Sequence, residues 1–252
     1  MPDLAALAVH LPTLGQAIGL LLVALVAGII RGLTGFGAAL IIVPCLSLFL
    51  SPAEAVPTSV AAIATTNLPL LRGAVKEGDR RMVLLFLAGC LPTIPLGVYL
   101  LASLPPDLVR RAIGICVIIA ALLLLNRRFR LTRPGWGLKM AAGGIGGFLN
   151  GAVGMGGPPV ILTVLAMPLS PLTARATLIL YFTGLNLLSI ASLWWQGLFS
   201  PHTLIWSLLM IPPLVGAARL GELWFRRNGG SQFRPIAIGL LVITGIVALL
   251  RP

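Results

Sequence analysis

Two glycine-rich stretches, GIIRGLTGFG at 28–37 and GFLNGAVGMGGPP at 147–159, interrupt long apolar runs and carry residue types suited to holding an anion. Pro158 and Pro159 mark the first turn of a new helix, where a missing N–H has no intrahelical partner anyway. A short helix starting at such a break presents unpaired backbone N–H groups and the positive end of its dipole there. Two ends of this kind facing each other form an anion site of the sort discontinuous helices build in secondary transporters.

Side chains near the breaks fit that chemistry. Arg31 lies in the first stretch and Asn150 at the equivalent place in the second, with Thr34, Thr58, Asn67, Thr177 and Asn186 close by. An arginine in the middle of an apolar membrane segment costs roughly 2.5–3.5 kcal/mol on insertion scales, so something should compensate it. Asp3, Glu77, Asp79, Asp107 and Glu222 read as peripheral, and Glu54 sits at a segment boundary. An anionic substrate would compensate Arg31, because a planar guanidinium suits an oxyanion; snorkelling and carbonyl capping are the competing explanations. The expected substrate-binding set is Arg31, Thr34, Gly35, Gly37, Thr58, Asn67, Asn150, Gly154, Gly156, Thr177 and Asn186. Plain structural roles compete here too, since such glycines let helices pack closely and membrane hydroxyls bond to backbone.

Other chemistries find little support. With only Lys76 and Lys139 in the chain, no G-x-x-x-x-G-K-[ST] phosphate loop is present, so the protein does not consume ATP by itself. His10 and His202 are isolated near segment ends, and Cys45, Cys90 and Cys116 are far apart without metal-type spacing. The cysteines read as small packing residues. No catalytic residue, metal or cofactor is expected.

The elements that must position the anion-binding residues are membrane helices. Hydrophobic residues make up 58% of the 252 and charged residues 10%, against roughly 25% charged in an ordinary soluble domain. The net charge of +12 does not lie along one soluble face, as a nucleic-acid footprint would. It is gathered in three loops between hydrophobic runs: Arg72 to Arg81, Arg127 to Lys139, and Arg219 to Arg234. The positive-inside rule makes those loops cytoplasmic. The N-terminus lacks a basic n-region, so its first helix is expected to be retained.

Apolar runs bounded by Gly, Pro and charge fall at about 14–33, 36–50, 53–71, 82–103, 107–126, 137–153, 156–169, 172–196, 202–224 and 232–250. The second and seventh, each following a glycine cluster, are too short to span comfortably, which leaves roughly eight to ten transmembrane segments. An offset of 119 residues carries Gly28, Gly32, Gly35 and Gly37 onto Gly147, Gly151, Gly154 and Gly156. The same register matches Ser51-Pro52 to Ser170-Pro171, Thr58 to Thr177 and Asn67-Leu68 to Asn186-Leu187. The chain therefore reads as two repeats, 1–126 and 127–252, forming one integrated membrane domain. Five segments per half put the second copy in the opposite orientation, so the repeats should be inverted. With the N-terminus outside, the three basic loops and Arg175 fall inside, leaving Arg110, Arg111 and Arg251 outside.

The glycine stretches GIIRGLTGFGAALIIVPCL (28–46) and GFLNGAVGMGGPPVILTVL (147–165), with the repeated halves and the basic central loop, resemble the TauE/SafE family of bacterial membrane proteins. The resemblance covers nearly the whole chain. It implies a multi-pass inner-membrane permease that moves sulfite or organosulfonates such as sulfoacetate, usually outward. The expectation is an all-α polytopic secondary transporter binding a small anion near the midplane. An anion channel, or a membrane assembly factor or enzyme without transport, are the alternatives; nucleic acid is not an expected partner, and a homo-oligomer is left open.

Overall fold

The computed structural model describes residues 11–125 and 134–227. The expected segment at 232–250, His10, the loop arginines from Arg127 to Arg133 and the boundary between the expected repeats lie outside the described residues. Within them the chain forms ten helices and no strand. In order they are α1 (Leu14–Thr34), α2 (Ala38–Leu46), α3 (Pro52–Thr65), α4 (Asn67–Glu77), α5 (Arg80–Ser103), α6 (Pro106–Leu125), α7 (Trp136–Val153), α8 (Gly157–Ala166), α9 (Pro171–Trp195) and α10 (Pro201–Arg227).

Local sequence explains where these helices begin. Thr13 and Gln16 form a capping box before α1, and Ser51 and Glu54 another before α3. Each satisfies backbone donors that the first turn leaves orphaned. Ser170 caps α9 by accepting from the Thr173 N–H at 3.0 Å, with Pro171 at the first helical position. The Ser-Pro pairs matched by the sequence offset thus serve as equivalent helix starts.

One expected segment is two helices. The run at 53–71 breaks at Thr66, between α3 and α4. Pro69 has no N–H to offer the Thr65 carbonyl four residues earlier, so the α-helical ladder fails there. The Thr65 and Thr66 hydroxyls instead bond back to the Ala62 and Ile63 carbonyls at 2.7 and 2.6 Å. Leu188 occupies the matching position in α9, which runs unbroken.

Four of the described helices, α1, α5, α9 and α10, are long and apolar enough to cross a membrane. Helices α2 and α8 have 9 and 10 residues and extend only about 15 Å at 1.5 Å per residue, half of a hydrocarbon core. The outward faces are apolar: Leu22 of α1, Leu84 of α5 and Leu208 of α10 are 58%, 67% and 68% exposed. Water would penalise such a surface and lipid does not. The architecture is that of a multi-pass membrane protein.

The buried faces carry small residues. Helix α1 packs along α10, and α7 along α5, so each helix that ends at a glycine break pairs with a long helix from the other half of the sequence. Gly32 lies against the backbone of Ala218, Gly151 against that of Ile94 and Gly97, and Gly143 against that of Phe86. Close backbone approach is how membrane helices gain van der Waals contact when lipid tails are as apolar as leucine. One apolar core joins α1, α2, α3 and α10, while a larger one runs through α5, α7, α8 and α9.

Candidate anion site

Both glycine breaks are buried turns between a long helix and a short one. Helix α1 ends at Gly35, whose φ of 78° is left-handed and whose N–H returns to the Arg31 carbonyl at 2.8 Å. Helix α7 ends in the same way at Gly154, with φ of 71° and an N–H to the Asn150 carbonyl at 2.9 Å. A side chain at either position would be strained, which is the local reason for glycine. Phe36 and Met155, at the centres of the two turns, are buried.

The turns converge on a cavity of about 30 Å³. One water needs roughly 10–15 Å³ on a comparable measure, so there is room for two or three waters or one compact oxyanion. Of the expected residues, Arg31, Gly37, Asn150, Gly154, Gly156 and Asn186 line the cavity. They include two pairs related by the sequence offset, Arg31 with Asn150 and Gly37 with Gly156. A third such pair, Ile63 and Phe182, forms part of the apolar wall. No carboxylate lines the cavity.

Arg31 is 2% exposed. One terminal nitrogen donates to Asn67 Oδ1, and the guanidinium lies over the Phe182 ring at 5.1 Å from its centroid. Its Nε is buried without an acceptor. Asn186 Nδ2 is the second buried donor in the cavity wall without a partner. Asn150, by contrast, is engaged at both polar atoms: its Nδ2 donates to Ser189 Oγ at 2.8 Å, and its Oδ1 accepts the Gly156 N–H at 3.2 Å. Two polar residues in equivalent sequence positions therefore differ in kind, a positioned cation on one side and a turn-holding amide on the other.

The two helix starts also differ. Neither α2 nor α8 has a side-chain cap. The second and third residues of α8 are Pro158 and Pro159, which have no N–H, and the Gly156 N–H is taken by Asn150. Helix α2 begins with Ala38 and Ala39, both of which keep an N–H, and Ala39 lines the cavity. The positive helix end is thus richer in donors on the Arg31 side.

The remaining expected residues lie elsewhere. The Thr34 hydroxyl accepts from the Phe36 N–H at 3.2 Å and sits 2.8 Å from the Ile30 carbonyl, so it shapes the turn. Gly35 faces Arg175 and Ile179 rather than the cavity. Thr58 is buried with its hydroxyl unpartnered, and its carbonyl accepts from Ser207 Oγ at 3.2 Å. Thr177 accepts the Asp79 N–H at 3.0 Å, tying the start of α5 to α9. Asn67 is outside the cavity lining, and its Oδ1 accepts from Arg31.

Phe182 and Ser189 were not singled out by sequence, although Phe182 falls at the offset from Ile63. Glu222 reads as peripheral in sequence, yet it is buried, with its backbone N–H against Gly32. Its Oε1 is engaged by Arg226 at 2.9 and 3.0 Å, one turn along its own helix, and its charge also acts on Arg175. Arg175, assigned to the cytoplasmic side, is also buried, at 5% exposed.

A family model described as the sulfite exporter TauE/SafE matches residues 20–248. A probable sulfite/organosulfonate exporter TauE from Cupriavidus necator is 29% identical over 223 residues, covering 86% of this chain and 87% of the relative. No solved structure matches the chain.

Proposed function

The chain belongs to the sulfite exporter TauE/SafE family, and from that premise we propose that it is a secondary transporter of the bacterial inner membrane, exporting sulfite or a small organosulfonate. The observation that carries this reading is the pair of unpartnered buried donors, Arg31 Nε and Asn186 Nδ2, in one cavity without a carboxylate. A buried donor without an acceptor costs about 1–3 kcal/mol, and more if charged. An oxyanion with three acceptor oxygens removes that cost at both groups. The Ala38 and Ala39 N–H groups at the start of α2 add a favourable dipole, and Asn67 holds the guanidinium in place.

The two halves are read as inverted repeats. The exchange of packing partners, α1 with α10 and α7 with α5, and the three offset-related pairs in the cavity wall support a two-fold relation between them. Rocking one bundle against the other would open the cavity to each side in turn. The cavity's small volume favours a carrier over an open channel, and inorganic sulfite over a long-chain sulfonate. With the basic loops inside, export runs with an inside-negative potential, which supplies about 2.3 kcal/mol per charge per 100 mV. No titratable carboxylate or histidine lines the cavity, so the potential is the simplest driving force.

Proteoliposomes test this directly. Uptake of labelled sulfite should saturate, be stimulated by unlabelled sulfite preloaded inside, and quicken when the interior is made positive. Flux that rises linearly with concentration and ignores preloading would make the protein a channel; no flux of sulfite or sulfoacetate would remove the substrate assignment.

Asn186→Leu should raise half-saturating sulfite about fivefold, from the loss of one hydrogen bond worth about 1 kcal/mol, without lowering thermal stability. Thr177→Val should do the reverse, lowering stability slightly by freeing the Asp79 N–H and leaving half-saturation alone. Identical uptake curves for wild type and Asn186→Leu would take Asn186 out of the site.

A further inference from the structure

A second basic depression lies at the other face of the α1–α2 turn. It is a groove of about 800 Å³ between α4, the first three turns of α9 and the end of α10. Arg72, Lys76, Arg175 and Arg226 line it against a single carboxylate, Glu77. Arg72 and Lys76 are exposed and four residues apart on α4, so they share one face of that helix. The Arg226 guanidinium lies over Gly73, and Glu222 behind the groove offsets part of its charge and part of that of Arg175.

Arg175 differs from the other three. It is 5% exposed, stacks on the Phe225 ring at 4.4 Å, and uses one terminal nitrogen to bond the Gly32 carbonyl in the last turn of α1. Its Nε is buried without an acceptor. A lone capping role would be met by the bond to Gly32 and would not need three more cations around the same depression. Arg175 also adjoins the partition between groove and cavity. A Cβ placed on Gly35 would lie 3.2 Å from Arg175 Cγ and 3.0 Å from Ile179 Cγ1, both groove residues, whereas Gly37, two residues on, lines the inner cavity. The partition is therefore the Gly35-Phe36-Gly37 turn.

We infer that this groove is a second anion site, a loading station where the transported oxyanion is held by Arg175 with Arg72 and Lys76 before it passes the turn to Arg31. The identity of the anion rests on the transport reading; the site itself does not. Clefts lined by one sign of charge concentrate counter-ions, and the effect is screened by salt because two of these cations are exposed.

Equilibrium binding of labelled sulfite to purified protein in nanodiscs of zwitterionic lipid separates the two stations. Wild type should show two components, one tight and salt-tolerant, one weaker and salt-sensitive. Arg72→Gln/Lys76→Gln, at exposed positions that do not threaten folding, should weaken the second component at least about threefold and leave the first. Arg31→Ala should remove the first and leave the second. A single component in wild type, unaltered by the double substitution, overturns the inference. So does loss of the salt-sensitive component when anionic lipid is added to the nanodisc, since the groove would then hold headgroups. Two components with no sulfite flux would sink the transport reading while leaving the groove site standing.

Discussion

Arg31→Ala is expected to abolish saturable sulfite uptake, with a loss of at least about 100-fold at matched reconstitution. Hydrogen bonds to charged groups contribute about 1.5–3 kcal/mol each, and an oxyanion in the cavity would take two from this guanidinium. Arg31→Lys keeps the charge but not the planar fork, and should recover only part of the activity. Stability should move the other way. A buried cation with no carboxylate partner among the described residues is costly in the empty protein, so the alanine variant should unfold at an equal or higher temperature in detergent. That opposition separates a binding role from a structural one. An alanine variant with normal counterflow removes Arg31 from the site, and one that loses activity only because it no longer folds makes Arg31 a structural residue.

Gly32→Leu and Gly151→Leu should yield no folded protein, and the alanine versions should lower the apparent unfolding temperature by several degrees. A Cβ on Gly32 would run into the Ala218 carbonyl, with the Glu222 nitrogen 2.8 Å away. On Gly151 it would meet the Ile94 carbonyl, with the Val98 nitrogen at 2.8 Å and the Gly97 carbonyl carbon at 3.1 Å. The obstacles are backbone atoms of a neighbouring helix and cannot rotate aside. Overpacking of this kind costs about 1–3 kcal/mol or more, and each kcal/mol shifts the midpoint by about 2–4 °C in a chain of this size. Gly19 supplies the control, because a Cβ there has nothing within 4 Å and Gly19→Ala should be neutral. Unfolding temperatures that fail to separate Gly32→Ala and Gly151→Ala from Gly19→Ala would show that these helices have room to separate.

The glycine motifs do three jobs, and sequence could not divide them. Gly32 and Gly151 serve close packing, Gly35 and Gly154 supply left-handed turns, and Gly37 and Gly156 reach the cavity. All six sit at one sequence offset, which marks equivalence without saying what the equivalent positions face. Asn67 and Asn186 show the same limit: they match in register, but one braces Arg31 while the other stands in the cavity wall unpartnered.

What the sequence determined by itself are properties set within a few residues along the chain. Composition fixed the solvent as lipid. Ser-Pro starts fixed the beginnings of α3, α9 and α10 and glycine stops the ends of α1 and α7, because capping and left-handed φ involve only neighbouring backbone. The lack of an acidic partner in the apolar runs made Arg31 conspicuous before any contact was known. Pro69 could also have been read locally, and the break it causes at Thr66 follows from one missing N–H. Only the tertiary structure decided which way each helix is turned. Whether Thr177 meets a substrate or the Asp79 N–H, and whether Phe182 faces lipid or Arg31, depends on rotation about the helix axis. That rotation is set by close packing between helices far apart in sequence, α1 on α10 and α7 on α5, and no local pattern encodes it.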